Sequence, residues 1–253
     1  MSDRPTVLVT GGGRRLGRAI ATRFGTDGCH VVVHYGASYD EAEELVANLP
    51  SAETIQCDLR DREACDRMID DVAARHERFA VLVNCASIFE ADTHEALDPE
   101  LLHRAIEVNA LAPARLAQRF LAKSRARACR VIQVTDQKLK NTNPDFFSYT
   151  MSKHALDATI GMLAKGHTNT EHRIYGLAPG AILASHDQDE AEAERSHTLN
   201  LLRRRTTLAD IADAARFLGE GVLASGQTLY VDSGQHLLSQ PRDVIYLARE
   251  DDV

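Results

Sequence analysis

The sequence has no excess of cations: 29 lysines and arginines stand against 37 aspartates and glutamates, a net charge of −8. A nucleic-acid surface needs clustered excess lysine and arginine, so the balance argues against a nucleic-acid partner. No apolar run approaches the roughly eighteen residues of a membrane span, and no membrane partner is expected. There is no internal repeat and no low-complexity linker. The opening MSDRPTVLVT moves straight into a strand pattern, so no targeting peptide is expected. The five cysteines (Cys29, Cys57, Cys65, Cys85, Cys129) are scattered, and the eleven histidines show no His/Cys cluster of ligand type. No metal is therefore assigned. The cysteines read as small buried hydrophobes in a reducing, cytoplasmic compartment.

What is present is a long alternation of strand and helix patterns in 253 residues, 44% of them hydrophobic. Strands are expected at Thr6 to Thr10, His30 to Tyr35, Thr54 to Cys57, Ala80 to Val83, Val131 to Val134, Arg173 to Leu177 and Thr228 to Val231. Val31-Val32-Val33 is a continuous apolar run, as suits a strand buried on both faces. Helical patterns fill the intervals, from about Gly17 to Asp27, Asp40 to Leu49, Asp61 to Glu77, Pro99 to Leu121, around Tyr149, and Leu208 to Leu218. Seven strands alternating with helices predict an α/β fold, a Rossmann-like doubly wound parallel sheet in a single domain spanning 1–253. Ligands then bind beyond the carboxyl ends of the strands, where strand order reverses.

The residues able to do chemistry gather at those ends. Tyr149 and Lys153 are four apart on a helix and share one face. An ammonium beside a phenol favours the phenolate, so Lys153 is expected to lower the pKa of Tyr149. Asp136 lies at the exit of a strand, thirteen residues before Tyr149. Thr10-Gly11-Gly12-Gly13-Arg14-Arg15-Leu16-Gly17 follows a strand and opens a helix, the context of a phosphate-cradling loop. The end of the second strand, His34-Tyr35-Gly36-Ala37-Ser38, has no acid to bond a ribose 2′-hydroxyl, and this favours NADP over NAD. Asp58 by itself reads as the N-cap of the helix beginning near Arg60.

With these motifs the sequence resembles the short-chain dehydrogenase/reductase family, whose active site pairs Tyr-x-x-x-Lys with an upstream serine. Asp136 stands at the place of that serine. Together with Arg15, Ser87 and Phe89, the exchange resembles the pteridine reductase and dihydromonapterin reductase branch. The resemblance runs to about Leu238. It departs from the family at Arg15, which replaces the middle glycine of the loop, and at Ser233, which replaces a glycine in Val231-Asp232-Ser233-Gly234.

The resemblance implies NADP(H) as cofactor, with Thr10, Gly11, Arg14, Arg15, Leu16, Gly17, His34, Ser38, Asp58, Leu59, Asn84, Ala86, Ser87, Lys153, Pro179 and Gly180 around it. Asp136, Tyr149, Lys153 and Asn109 would be catalytic, with Asn109 holding a proton-relay water. Arg15, Ser87, Phe89, Asp136 and Tyr149 would contact substrate, Phe89 by stacking on a pterin or else as a core aromatic. The implied reaction is hydride transfer to a dihydropterin, such as dihydromonapterin or dihydrobiopterin, with dihydrofolate a further candidate. Because a protonated Asp136 is the useful form, activity should rise toward mildly acidic pH. A carbonyl or alcohol oxidoreductase and a non-catalytic NADP-binding sensor are the rival readings. Residues 181–205 would be a substrate lid or in part a solvated helix, and 239–253 a tail that could reach a neighbouring subunit of a homotetramer.

Overall fold

The computed structural model describes residues 4–184 and 188–250. Seven strands, β1 (Thr6–Thr10), β2 (His30–Tyr35), β3 (Ala52–Gln56), β4 (Phe79–Asn84), β5 (Arg130–Val134), β6 (Arg173–Pro179) and β7 (Thr228–Val231), form one sheet. Every pairing is parallel and the order is β3-β2-β1-β4-β5-β6-β7. The order reverses between β1 and β4, and a crevice must open there beyond their carboxyl ends. This is the doubly wound, Rossmann-like sheet that the alternating pattern predicts.

Side chains alternate across the strands and fill two cores. Val7, Val9, Val31, Val33, Val81 and Val83 face one layer, made by α1 (Arg15–Thr26), α2 (Tyr39–Ala47) and α8 (Leu208–Glu220). Leu8, Val32, Leu82 and Val131 face the other, made by α3 (Arg62–Arg75), α5 (Ala112–Lys123) and α6 (Phe147–Gly166). Apolar groups on both faces are what a sheet covered on both sides demands. Tyr175, in the middle of β6, is fully buried, and its hydroxyl donates to the carbonyl of Leu223 at 2.6 Å.

The helix expected from Pro99 to Leu121 is not uniform. It runs as α4 (Pro99–Ile106), a π-helical turn over Glu107–Leu111, and α5. Pro113 explains the break, because it has no N–H to give the carbonyl of Asn109 four residues back. The amide of Ala112 bonds instead to Glu107, five residues back. Such π turns recur at functional sites, and this one carries Asn109.

Two further helices are α7 (Glu190–Thr198), in the segment expected as a lid or in part a solvated helix, and α9 (Val244–Glu250), in the expected tail. Asp189 and Glu192 form a capping box that starts α7. Ala193, Ser196 and His197 turn inward while Glu190 and Glu194 are exposed, so the segment is a solvated helix only in part. Residues 185–187 of that segment and 251–253 of the tail lie outside the described residues. The described part of the tail packs α9 against α7 of its own chain.

Candidate active site

The carboxyl ends of the strands surround a cavity of about 450 Å³. Its floor on the β1 side is the glycine loop. Gly11 has φ +63°, and a Cβ there would meet the Ala86 backbone at 3.0 Å. A Cβ on Gly17 would lie 2.1 Å from the Gly11 carbonyl oxygen, so only glycine fits. The loop delivers the start of α1, which has no side-chain cap and no acid in its first turn. Among the described residues no side chain caps its orphan amides, and this suits the binding of a phosphate at the positive dipole end.

Arg15 keeps a φ of 48°, and Ser233 one of 53°. Both positions where a non-glycine replaces the expected glycine therefore retain a left-handed backbone, at a cost of roughly 1–2 kcal/mol each. The Arg15 guanidinium donates to the Ala184 carbonyl at 3.1 Å and lines the cavity. Arg14 also lines it, paired with Glu41 of α2. Ser38 faces the same space, and its hydroxyl makes no capping bond to α2. Leu16, Ala86, Ser87, Pro179 and Gly180 complete this half.

On the opposite wall, Asp136 leaves β5 and Tyr149 comes from the first turn of α6. The start of α6 is fixed from outside: the Ser148 amide and hydroxyl both donate to the carboxylate of Asp92. The Tyr149 hydroxyl donates to Asp136 Oδ2 at 2.6 Å, and the Lys138 amide donates to Asp136 Oδ1 at 2.9 Å. Lys153 Nζ, one helical turn on, donates to the Val134 carbonyl at 2.8 Å. Burial pushes the Asp136 carboxyl up, against the opposing pull of the Tyr149 hydrogen bond. Burial likewise pushes the Lys153 ammonium down.

The expected depression of the Tyr149 phenol is corrected. Its pKa lies well above the ordinary value, first because of burial and then because a carboxylate sits beside it. A second anion next to Asp136 would have to be created with little solvent. Here the Tyr149 phenol keeps its proton and donates it in the hydrogen bond to Asp136.

Other expected contacts move back from the cavity. His34 is buried; its Nδ1 accepts from the Gly11 amide at 3.1 Å, leaving Nε2–H to donate to the Cys57 carbonyl at 3.0 Å. It props the glycine loop instead of lining the cavity. Thr10 Oγ1 accepts from the amides of Cys85 and Ala86, tying β1 to the β4 exit. Asn84 donates to Gln133 Oε1 and the Pro113 carbonyl inside the sheet. The Asn109 side chain accepts from the Ile88 amide and donates to the Ile88 carbonyl and to Ser152, which spends both of its N–H groups on the protein. Asp58 is exposed and bound to Arg60, Leu59 is in the core, and the N-cap of α3 is Asp61, not Asp58.

Phe89 lines the cavity, 44% exposed, stacked on Phe146 with centroids 4.3 Å apart and edge-on to Tyr149 at 4.7 Å. Lys138 and Asp243, not among the expected site residues, also line it, as do Val244 and Ile245 of the expected tail. Lys138 Nζ is buried and donates to Asp243 Oδ2 at 2.8 Å, Asn143 Oδ1 at 2.7 Å and the Asp145 carbonyl at 3.3 Å. The C-terminal tail is thus part of the pocket wall.

A family model described as enoyl-(acyl carrier protein) reductase, of the short-chain dehydrogenase/reductase type, matches residues 12–236. The chain belongs to the short-chain dehydrogenase/reductase family. Within this family of oxidoreductases it is similar to the FolM alternative dihydrofolate reductase 1 from Brucella canis, solved in complex with NADP. Identity is 32%, with 94% of this chain and 96% of that one covered and a TM-score of 0.87. It is 24% identical over 234 residues to the dihydromonapterin reductase of Escherichia coli O6:K15:H31 (strain 536 / UPEC), covering 91% of this chain and 96% of the relative. The angucycline C-6 ketoreductase LanV, solved with bound NADP, is 27% identical, with 92% and 96% covered and a TM-score of 0.84. The FolM and dihydromonapterin reductase relatives support the pteridine reductase branch that Arg15, Ser87, Phe89 and Asp136 jointly suggested. Among the described residues, no helix is long and apolar enough to cross a membrane.

Proposed function

We propose that the protein is an NADPH-dependent reductase of a dihydropterin, such as dihydromonapterin or dihydrobiopterin, or of dihydrofolate. The Tyr149–Asp136 hydrogen bond inside the cavity carries this reading. A serine would steady a carbonyl oxygen by donation, whereas an ionised carboxylate repels a developing oxyanion. A pterin offers ring nitrogens and an amino group, which a carboxyl can meet as donor or acceptor.

NADPH supplies the hydride. The amides at the start of α1, with Arg14, Arg15 and Ser38, hold its phosphates, and the absence of an acid after β2 admits the 2′-phosphate. Lys153 holds the nicotinamide ribose hydroxyls. Tyr149 and a protonated Asp136 deliver the proton to the ring nitrogen next to the reduced carbon, and Phe89 packs on the heterocycle. Asn109 takes the relay role through its carbonyl, which receives no amide from Pro113. Ordinary hydroxyl-for-carboxyl logic leaves ketone reduction as the second reading, supported by the likeness to LanV. A sensor without catalysis fits poorly with an intact Tyr149 and Lys153.

We assign a cytoplasmic setting from the free cysteines. For self-association as a homotetramer, the apolar groove between α5 and α6, where Met162 is 71% exposed, is a candidate for one of the interfaces. The deciding experiment is NADPH oxidation against dihydropterins, dihydrofolate and ketones. Turnover of ketones alone would defeat the pterin reading.

A further inference from the structure

At the amino-terminal ends of the strands, away from the cavity, three side chains converge that the proposed reaction does not use. His30 opens β2, Glu53 lies on the adjacent edge strand β3, and His76 is the C-cap of α3. One ligand-type atom from each lies within 4.8 Å of the others. His76 Nε2 is 2.9 Å from Glu53 Oε1, and His30 Nε2 is 3.8 Å from the same oxygen. The two imidazoles stack with centroids 4.6 Å apart.

The decisive atom is His30 Nε2. It is buried and has no hydrogen-bond partner among the described residues, and 3.8 Å to Glu53 is too long for one. Buried nitrogens are rarely left so, and each such case asks for a reason. Its partner atom Nδ1 lies 2.8 Å from Ser51 Oγ. Donation from Nδ1–H to Ser51 fixes the tautomer and turns the Nε2 lone pair toward Glu53. An outer partner of this kind is what orients a ligating histidine.

Arg75 shares the site, with Nη1 2.5 Å from Glu53 Oε1 and 3.4 Å from His76 Nε2. Its Nε and Nη2 also bind Asp71 at 3.1 and 2.7 Å. The Arg75 side chain is half-exposed, so it can keep Asp71 and withdraw Nη1 when another cation arrives.

We propose that His30, Glu53 and His76 form a binding site for a divalent transition metal of the zinc class. Two imidazoles and a carboxylate supply three ligands, and water takes the fourth tetrahedral position. Nitrogen-rich donors select zinc and its neighbours over magnesium or calcium. The ion joins β2, the edge strand β3 and the end of α3. The three ligands sit on separate elements, so no spacing in the sequence announces them.

The test uses the full-length protein stripped with EDTA. Co²⁺ titration read by visible absorption, and Zn²⁺ titration by calorimetry, should show one saturable site per chain that the double variant His30→Ala/His76→Ala lacks. Zn²⁺ should raise the thermal midpoint of the wild type. The double variant should lose that shift and bind Zn²⁺ more than about a hundredfold more weakly, and Ser51→Ala about tenfold. Circular dichroism and NADPH binding should stay unchanged in both. If the double variant fails to fold, Glu53→Gln, which keeps the side-chain shape, should show the same loss. Absence of saturable binding by the wild type, or undiminished binding in the ligand variants, overturns the site.

Discussion

The hydroxyl of Tyr149 donates to the carboxylate of Asp136 across 2.6 Å, in a pocket that raises the pKa of both. The pair can hold its proton with little solvent contact. Replacing Tyr149 by Phe removes the donor and leaves the cofactor surfaces in place. We expect kcat to fall by about 10²–10⁴-fold, the usual worth of a positioned acid, with NADPH affinity nearly unchanged. Fluorescence titration beside steady-state rates checks this. A Tyr149→Phe enzyme with full turnover would remove Tyr149 from the chemistry.

The raised pKa of Asp136 fixes the sign of two pH effects. The folded protein binds this proton more tightly than the unfolded chain does, so the stability it contributes is complete below the ordinary carboxyl value. That stability is lost as pH rises through the raised folded value. Asp136→Asn should therefore be more stable than wild type at pH 8, with the gap closing toward pH 4. The wild-type rate should decline on raising the pH through the same range, and the Asn variant should lose that limb along with most of its activity. Thermal midpoints across the pH series decide it; a gap that is constant with pH refutes the assignment.

Arg15 combines backbone strain with a guanidinium facing the cavity. Arg15→Gly should relieve about 1–2 kcal/mol of left-handed strain, partly offset by the extra freedom of the unfolded chain. It also removes a cation from the phosphate and substrate side. The expected result is a thermal midpoint equal to or above wild type together with weaker NADPH binding, by about tenfold for one lost charge-assisted contact. A variant that is destabilised and binds normally would show that Arg15 serves structure.

The fold and the placing of Tyr149 beside Lys153 could be read in the sequence because both rest on short-range periodicity. Val31–Val33 marks a strand covered on both faces, and the i, i+4 spacing places Tyr149 and Lys153 on one side of α6. What stayed hidden depends on which way a polar side chain turns. His34 and Asn109 stand at expected positions, yet their side chains hold backbone groups of the glycine loop and of Ile88. The sign of the Tyr149 shift was also out of reach, because it depends on burial and on the Asp136 distance more than on the Lys153 spacing. Lys138 and Asp243 meet only when the tail folds back over α7, and nothing local to either residue signals that.

That pair gives the last prediction. Lys138 is 4% exposed and Asp243 8%, so each charge depends on the other. Lys138→Met should cost about 3–5 kcal/mol, the penalty for stranding a buried charge. Adding Asp243→Asn removes the stranded carboxylate, but the oxygens of Asn143 and Asp145 still lack the donor that Lys138 gave them. Recovery in the double variant should therefore be partial, with a remaining deficit of about 1–3 kcal/mol for the unsatisfied acceptors. Urea denaturation of the two variants measures both quantities. Complete recovery would mean that the ion pair alone matters, and a single variant as stable as wild type would show that the charge is not buried in solution. Because both residues also wall the pocket beside Asp136, the double variant should lose kcat/KM even where stability returns.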